Sequence, residues 1–415
     1  MSTALFTQIF LILLTGTLLT RLWLARRHVR HVLGHRRQVP APFRGKILLK
    51  AHRKAADYTV AKTRFAMVTG VIDALLLLGW TLGGGLEFLD QGWRAAGFGE
   101  LVTGTLFLLS AFLIMALLDL PATLYQTFVI EQRFGFNHST PALFVADLLK
   151  QALLLFVLGA PLALAALWLM QSAGTLWWFY LWLLWSGFTL LMIWAYPTVI
   201  APLFNKFTPL KNRSVQTRIQ ALLRRTGFRS RGIFVMDGSR RSAHGNAYFT
   251  GFGRNKRVVF FDTLLKTLRG PEIEAVLAHE LGHFHHRHII KRIVMLFGMS
   301  LAGLALLGWL IQQPWFYQGL GVSTASAHAA LILFLMAGPV FTFLLQPLMA
   351  WGSRRHEYQA DAYAADQADI KPMISALVKL YRENASTLTP DPVYSAFYDS
   401  HPPASLRIAH LQSLA

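Results

Sequence analysis

Apolar residues run almost without interruption through seven stretches of the chain, near residues 4–24, 65–85, 101–121, 152–170, 176–197, 293–311 and 329–351. Each is close to the length of about 20 residues that a helix needs to cross roughly 30 Å of hydrocarbon. From Leu176 to Ala195 no charged residue occurs at all. The first stretch has no Lys or Arg before Arg21, and Arg26-Arg27 follow it. A cleavable signal peptide shows the reverse order, so residues 4–24 read as a retained anchor.

Two regions outside the spans are long enough to fold, residues 198–291 and 352–415. In the first, Gly232 to Met236 and Arg257 to Phe261 read as short strands bounded by turn residues. Ser214 to Arg225 has the spacing of an amphipathic helix. Pro271-Glu272 opens another, with no breaker before Ile290, so one continuous helix is expected to carry this segment toward the sixth span. The domain reading is therefore residues 1–197 as membrane helices one to five with a basic loop at 26–64, 198–291 as a catalytic region, 292–351 as helices six and seven, and 352–415 as a second catalytic region.

Composition agrees with the pattern. Of 415 residues, 54% are apolar and 14% charged, against about 25% charged in ordinary globular proteins, and the mean hydropathy is +0.41. That excludes a water-soluble chain. The net charge of +20 suggests nucleic acid only until its distribution is read. Residues 26–64 carry twelve Lys and Arg, residues 86–100 carry only Arg94, residues 312–328 carry none, and 198–291 are basic again. Alternation of this kind marks cytoplasmic loops. It places the N-terminus outside and the C-terminus and catalytic regions in the cytoplasm, and it removes the argument for nucleic acid. There is no cysteine, so a metal must be held by His, Asp or Glu.

Such a site is present. His279-Glu280-Leu281-Gly282-His283 puts two imidazoles on one helical face, where both reach a single zinc ion. With a third protein ligand, a tetrahedral ion keeps one position open for water, whose pKa falls toward neutrality. Glu280, about 100° around the helix, is then placed as general base. The neighbouring His285, His286 and His288 read as interfacial rather than ligating. For the third ligand Glu357 is the attractive choice, in the helical stretch that begins where the seventh span ends. Asp361, four residues on, shares its face and can accept the second ring proton of a ligating histidine. Spacing alone fits a helix with surface charges equally well.

Together these residues carry a resemblance. His279 to His283, with Glu357-Tyr358-Gln359-Ala360-Asp361, resembles the type I CAAX prenyl endopeptidases, membrane zinc proteases of the gluzincin kind. Further similarity lies in Glu131 to Asn137, Ala201 to Phe207, Asn246 to Gly251 and Phe261 to Leu265, over roughly residues 60–410. The resemblance implies an α-helical membrane protein whose seven transmembrane helices form a barrel around a large chamber, capped by a cytoplasmic α+β zinc-protease domain. It implies one Zn2+ per chain on His279, His283 and Glu357. It further implies that His401 and Arg407 stabilise the oxyanion and position the substrate, while Asn246 holds the substrate backbone. The expected partners are a peptide or protein substrate, prenylated or otherwise tethered, and the lipid bilayer; no nucleic acid and no second copy of the chain are expected. A bacterial member, in the inner membrane, is the expected source.

Two other readings compete. HtpX-like quality-control proteases share the chemistry but are shorter with fewer spans. A non-catalytic channel or scaffold would use Asp73 and Asp119, carboxylates inside spans two and three where charge is costly, but it has no need for His, Glu, His and Glu together.

Overall fold

The computed structural model describes residues 1–228, 230–250 and 257–414. Gly251, the end of one motif named above, lies outside the described residues. Seven helices among them are long and apolar enough to cross a membrane: Thr3–His35, Leu49–Trp80, Glu100–Glu131, Pro141–Ser172, Gly174–Phe204, His288–Leu310 and Ala327–Gln367. All seven coincide with apolar stretches of the sequence. Their outward side chains include Ile12 at 69% and Leu149 at 67% exposure, which in water would be an aggregation surface and in a bilayer meets lipid tails.

Most of the helices run past the hydrocarbon-length segments. The segment at 26–64, expected as a basic loop, is largely helix: the first span continues to His35 and the second begins at Leu49, with a short 3-10 turn at Ala41–Phe43 between them. Hydropathy marks only the part of a helix that touches lipid, whereas the backbone ladder propagates until a residue breaks it. Here Pro40 and Gly45, the latter at φ 74°, fall in the break between the two helices.

The second correction concerns the expected continuous helix. The chain forms Gly270–His285 and then His288–Leu310, interrupted at Arg287, which sits at φ 53°, ψ 33°. Left-handed backbone is rare for a residue with a Cβ, and no sequence breaker announces it. The bend is held by hydrogen bonds from the His286 N–H to the Gly282 carbonyl and from the Arg287 N–H to the Phe284 carbonyl. The motif nonetheless stays five residues from the sixth span.

The spans close into a ring. Span one touches two and seven, the end of three touches two, and contacts then run from three to four, four to five, five to six and six to seven. One end of the ring is plugged by an apolar core that includes Phe6, Phe10, Phe107, Leu310, Tyr317 and Leu333. Farther along the spans, Asp73 and Asp119 face a cavity of about 560 Å³ that Trp80 and Met336 also line. The two costly carboxylates thus share one cavity, whose other walls are mostly apolar.

At the other end lies a four-stranded sheet, β1 (Phe207–Pro209), β2 (Gly232–Met236), β3 (Ala247–Thr250) and β4 (Arg257–Phe261), in the order β1-β2-β4-β3. β2 and β4 are parallel, with Phe234 opposite Val259, and β3 is an edge strand antiparallel to β4. The Gly270–His285 helix shares one apolar core with the sheet and with the helix Arg213–Arg225, in which Ile273, Leu277 and Leu281 cluster with Val258 and Phe260 of β4 and with Leu222.

Candidate metal centre

The HExxH helix lies between the sheet and the second half of the seventh-span helix, Gln346–Gln367. The approach is close because both contact residues are small. A Cβ added at Gly282 would lie 2.9 Å from the Ala360 Cα and 3.1 Å from its carbonyl oxygen, too near for any larger side chain. At its start, Glu272 accepts from the Arg269 N–H at 2.7 Å, from Ser375 Oγ and from Lys379 Nζ. This pins the helix to Ile370–Glu383 as well.

That packing brings His279, His283 and Glu357 together, with one ligand atom of each within 4.8 Å of the others. Glu357 Oε2 is 3.5 Å from His279 Nε2, and Oε1 is 3.3 Å from His283 Nε2. A tetrahedral ion with bonds of about 2.1 Å would set its ligands roughly 3.4 Å apart, so the spacing fits. Glu357 is 4% exposed, and its Oε2 is buried without a hydrogen-bond partner. A buried carboxylate oxygen left this way is expensive, unless a cation completes it. The donor set of two nitrogens and one oxygen suits zinc.

The surroundings are built to hold these ligands. Asp361 Oδ1 lies 2.9 Å from His279 Nδ1, on the ring edge facing away from Glu357. Arg407, from the C-terminal helix Ala404–Ser413, donates from Nε to Asp361 Oδ2 at 2.8 Å and from Nη2 to Oδ1. Its Nη1 is 3.6 Å from Glu357 Oε2. Burial and Arg407 both lower the pKa of His279, but Asp361 and Glu357 outweigh them and raise it to about 9 in the metal-free site. Metal uptake at neutral pH therefore releases a proton and is weakened by acid. Burial, reinforced by Glu357 and opposed by His279 and His283, pushes the Glu280 carboxyl above the ordinary glutamate range.

Glu280, His283, Glu357 and His401 line one cavity of about 680 Å³. His401 keeps an exposed imidazole, with Nε2 3.4 Å from Glu357 Oε1. Arg407 is buried beneath the triad, not in the cavity wall. Asn246 is exposed, immediately before the edge strand β3. It lies outside the cavity wall, to which β3 contributes Tyr248 and Phe249. Of the histidines read as interfacial, His285 is exposed and His286 half-buried, but His288 is 2% exposed and touches His283. No helical periodicity relates residues 283 and 288, and only the bend at Arg287 makes them neighbours.

Two histidines and a glutamate converging beside a further glutamate, at the foot of a seven-helix ring, define a membrane-embedded metallopeptidase. Residues 28–206 match the family described as CAAX prenyl protease N-terminal, five membrane helices, and residues 209–415 match peptidase family M48. The chain is 34% identical over 391 residues to a CAAX prenyl protease 1 homolog of Arabidopsis thaliana, covering 89% of each. It is 36% identical over 311 residues to CAAX prenyl protease 1 of Saccharomyces cerevisiae, covering 71% of this chain and 69% of that one. Its fold superposes on the crystal structure of S. mikatae Ste24p with a TM-score of 0.89 and 29% identity, over 98% of both chains. The chain belongs to the CAAX prenyl protease family of M48 peptidases.

Proposed function

We propose that this protein is a zinc endopeptidase that cuts prenylated or otherwise membrane-tethered peptides toward their C-terminal end. One copy supplies His279, Glu280, His283, Glu357 and His401, and the proposed working unit is the monomer. Residues 1–197 and 292–351 hold the substrate's membrane side, and 198–291 with 352–415 perform catalysis. The observation that carries the reading is the composition of the 680 Å³ cavity. Its wall joins Glu280, His283, Glu357 and His401 to Ile289, Met295, Leu348 and Met349, and the last four belong to spans six and seven. A lipid tail can remain among apolar side chains while the peptide attached to it reaches Glu280. A peptidase for soluble proteins has no use for such a wall.

Zinc on His279, His283 and Glu357 would polarise the scissile carbonyl and lower the pKa of water. The Glu280 carboxylate takes the proton of the attacking water and passes it to the leaving amine nitrogen. His401 donates from its imidazole toward the carbonyl oxygen as negative charge develops there. Asp361 accepts the His279 Nδ1 proton and so keeps Nε2 free to ligate. Arg407 holds both Asp361 and Glu357 in place for the substrate. The peptide adds its backbone to the open edge of β3, with Asn246 at the entry.

The test compares a farnesylated peptide, the same peptide unmodified, and a folded soluble protein carrying the same terminal sequence, all with purified, zinc-loaded enzyme. The lipidated peptide should be cut at least tenfold faster than the soluble protein. Equal rates for all three would overturn the tethered-substrate reading while leaving the peptidase chemistry intact.

The positive charge on 26–64 and 198–291 supports a cytoplasmic catalytic side. Because the chain has no cysteine, Ala325→Cys and Lys211→Cys report without background, and both positions are exposed. An impermeant thiol reagent added outside intact cells should label position 325 and spare position 211. The opposite pattern inverts the topology.

A further inference from the structure

The two histidines of the site are supported differently. His279 Nδ1 faces a carboxylate, Asp361. His283 Nδ1 faces a second imidazole, His288 Nδ1, at 3.0 Å, and His288 Nε2 in turn meets Gln359 Oε1 at 2.8 Å. The His288 ring also stacks on His356, with centroids 4.0 Å apart and planes 14° from parallel, so its orientation is over-determined.

Resting on the zinc reading above, we infer that His288, oriented by Gln359, is a positioning residue that fixes the tautomer and ring plane of His283. With Gln359 Oε1 facing His288 Nε2, one arrangement of protons satisfies every contact. If His283 ligates through Nε2, its Nδ1 must carry the proton and donate. His288 must then accept at Nδ1 and donate from Nε2, and Gln359 must accept at its carbonyl oxygen. In the reverse polarity the proton sits on His283 Nε2, where it blocks ligation. The relay therefore selects the ligating tautomer, as Asp361 does for His279, but with neutral groups.

The bend at Arg287 belongs to the same device. On an unbroken helix, residues five apart point about 140° away from each other, and His288 would face away from His283. A non-glycine residue at φ 53° is the kind of local strain that persists where surrounding contacts require it, most often at functional sites. Here it turns His288 back into the buried position where both of its nitrogens are engaged. Gln359 lies between Glu357 and Asp361 in sequence, so one helix supplies the third ligand and the supports of both histidines.

Zinc affinity, measured by competition with a chromogenic chelator, tests this without reference to turnover. His288→Leu should bind zinc 10- to 100-fold more weakly, the usual range for loss of a group that orients a ligand. His288→Asn, whose amide oxygen can take the place of Nδ1 as acceptor, should stay within about threefold of the parent. Gln359→Leu, at an exposed position away from His283, should weaken binding several-fold and serves if His288→Leu does not fold. Wild-type affinity in both Leu variants would overturn the inference. So would equal losses in His288→Leu and His288→Asn, which would mark His288 as packing alone. A parent protein that takes up no zinc would instead refute the metal reading on which the relay rests.

Discussion

Glu280→Gln should lower peptide hydrolysis by about 10²- to 10⁴-fold, the typical contribution of a positioned general base, while the protein keeps its zinc. Glutamine has the same shape but cannot take a proton, and Glu280 is not one of the three converging ligands. Catalysis and metal content should therefore separate. Single-turnover cleavage and elemental analysis on the same preparation provide the check. Near-parental turnover in zinc-loaded Glu280→Gln would refute the mechanism, and loss of zinc would recast Glu280 as a ligand.

Arg407→Ala should damage stability and zinc binding together. Asp361 is fully buried, and Arg407 meets both of its oxygens while lying near Glu357. Removing one partner of a buried pair typically costs about 3–5 kcal/mol, because the other charge is left without compensation. The expected outcome is a lower thermal midpoint together with weakened zinc binding and loss of cleavage. Arg407→Lys keeps the charge but not the two-pronged contact, so it should recover part of the stability and little of the activity. Melting curves and zinc titrations on both variants distinguish these effects. Unchanged stability and zinc affinity in Arg407→Ala would leave Arg407 only a role toward substrate.

The seven spans were legible because lipid imposes a length and a composition that no soluble helix needs. β2 and β4 were legible for a related reason: short β-branched and aromatic runs between turn residues have few other uses. The His279–Glu280–His283 motif was readable because three chemistries share one turn of helix. Less was visible at Glu357, where spacing fitted a surface helix as well as a ligand until the family resemblance singled it out. β1 was missed, being three residues long and made a strand by pairing with β2.

By itself, the sequence determined the membrane class, the number of spans, the absence of thiol chemistry and the helix bearing the metal motif. Each of these follows from local composition or from a periodicity of a few residues. The tertiary structure alone decided that Gly282 meets Ala360, that Arg407 lies under the triad, and that the chain bends at Arg287 to bring His288 onto His283. Those features depend on contacts between residues far apart in the chain, or on a backbone conformation that arginine adopts only when its neighbours require it. Burial and packing create them, and neither is written in the spacing of residues along one element.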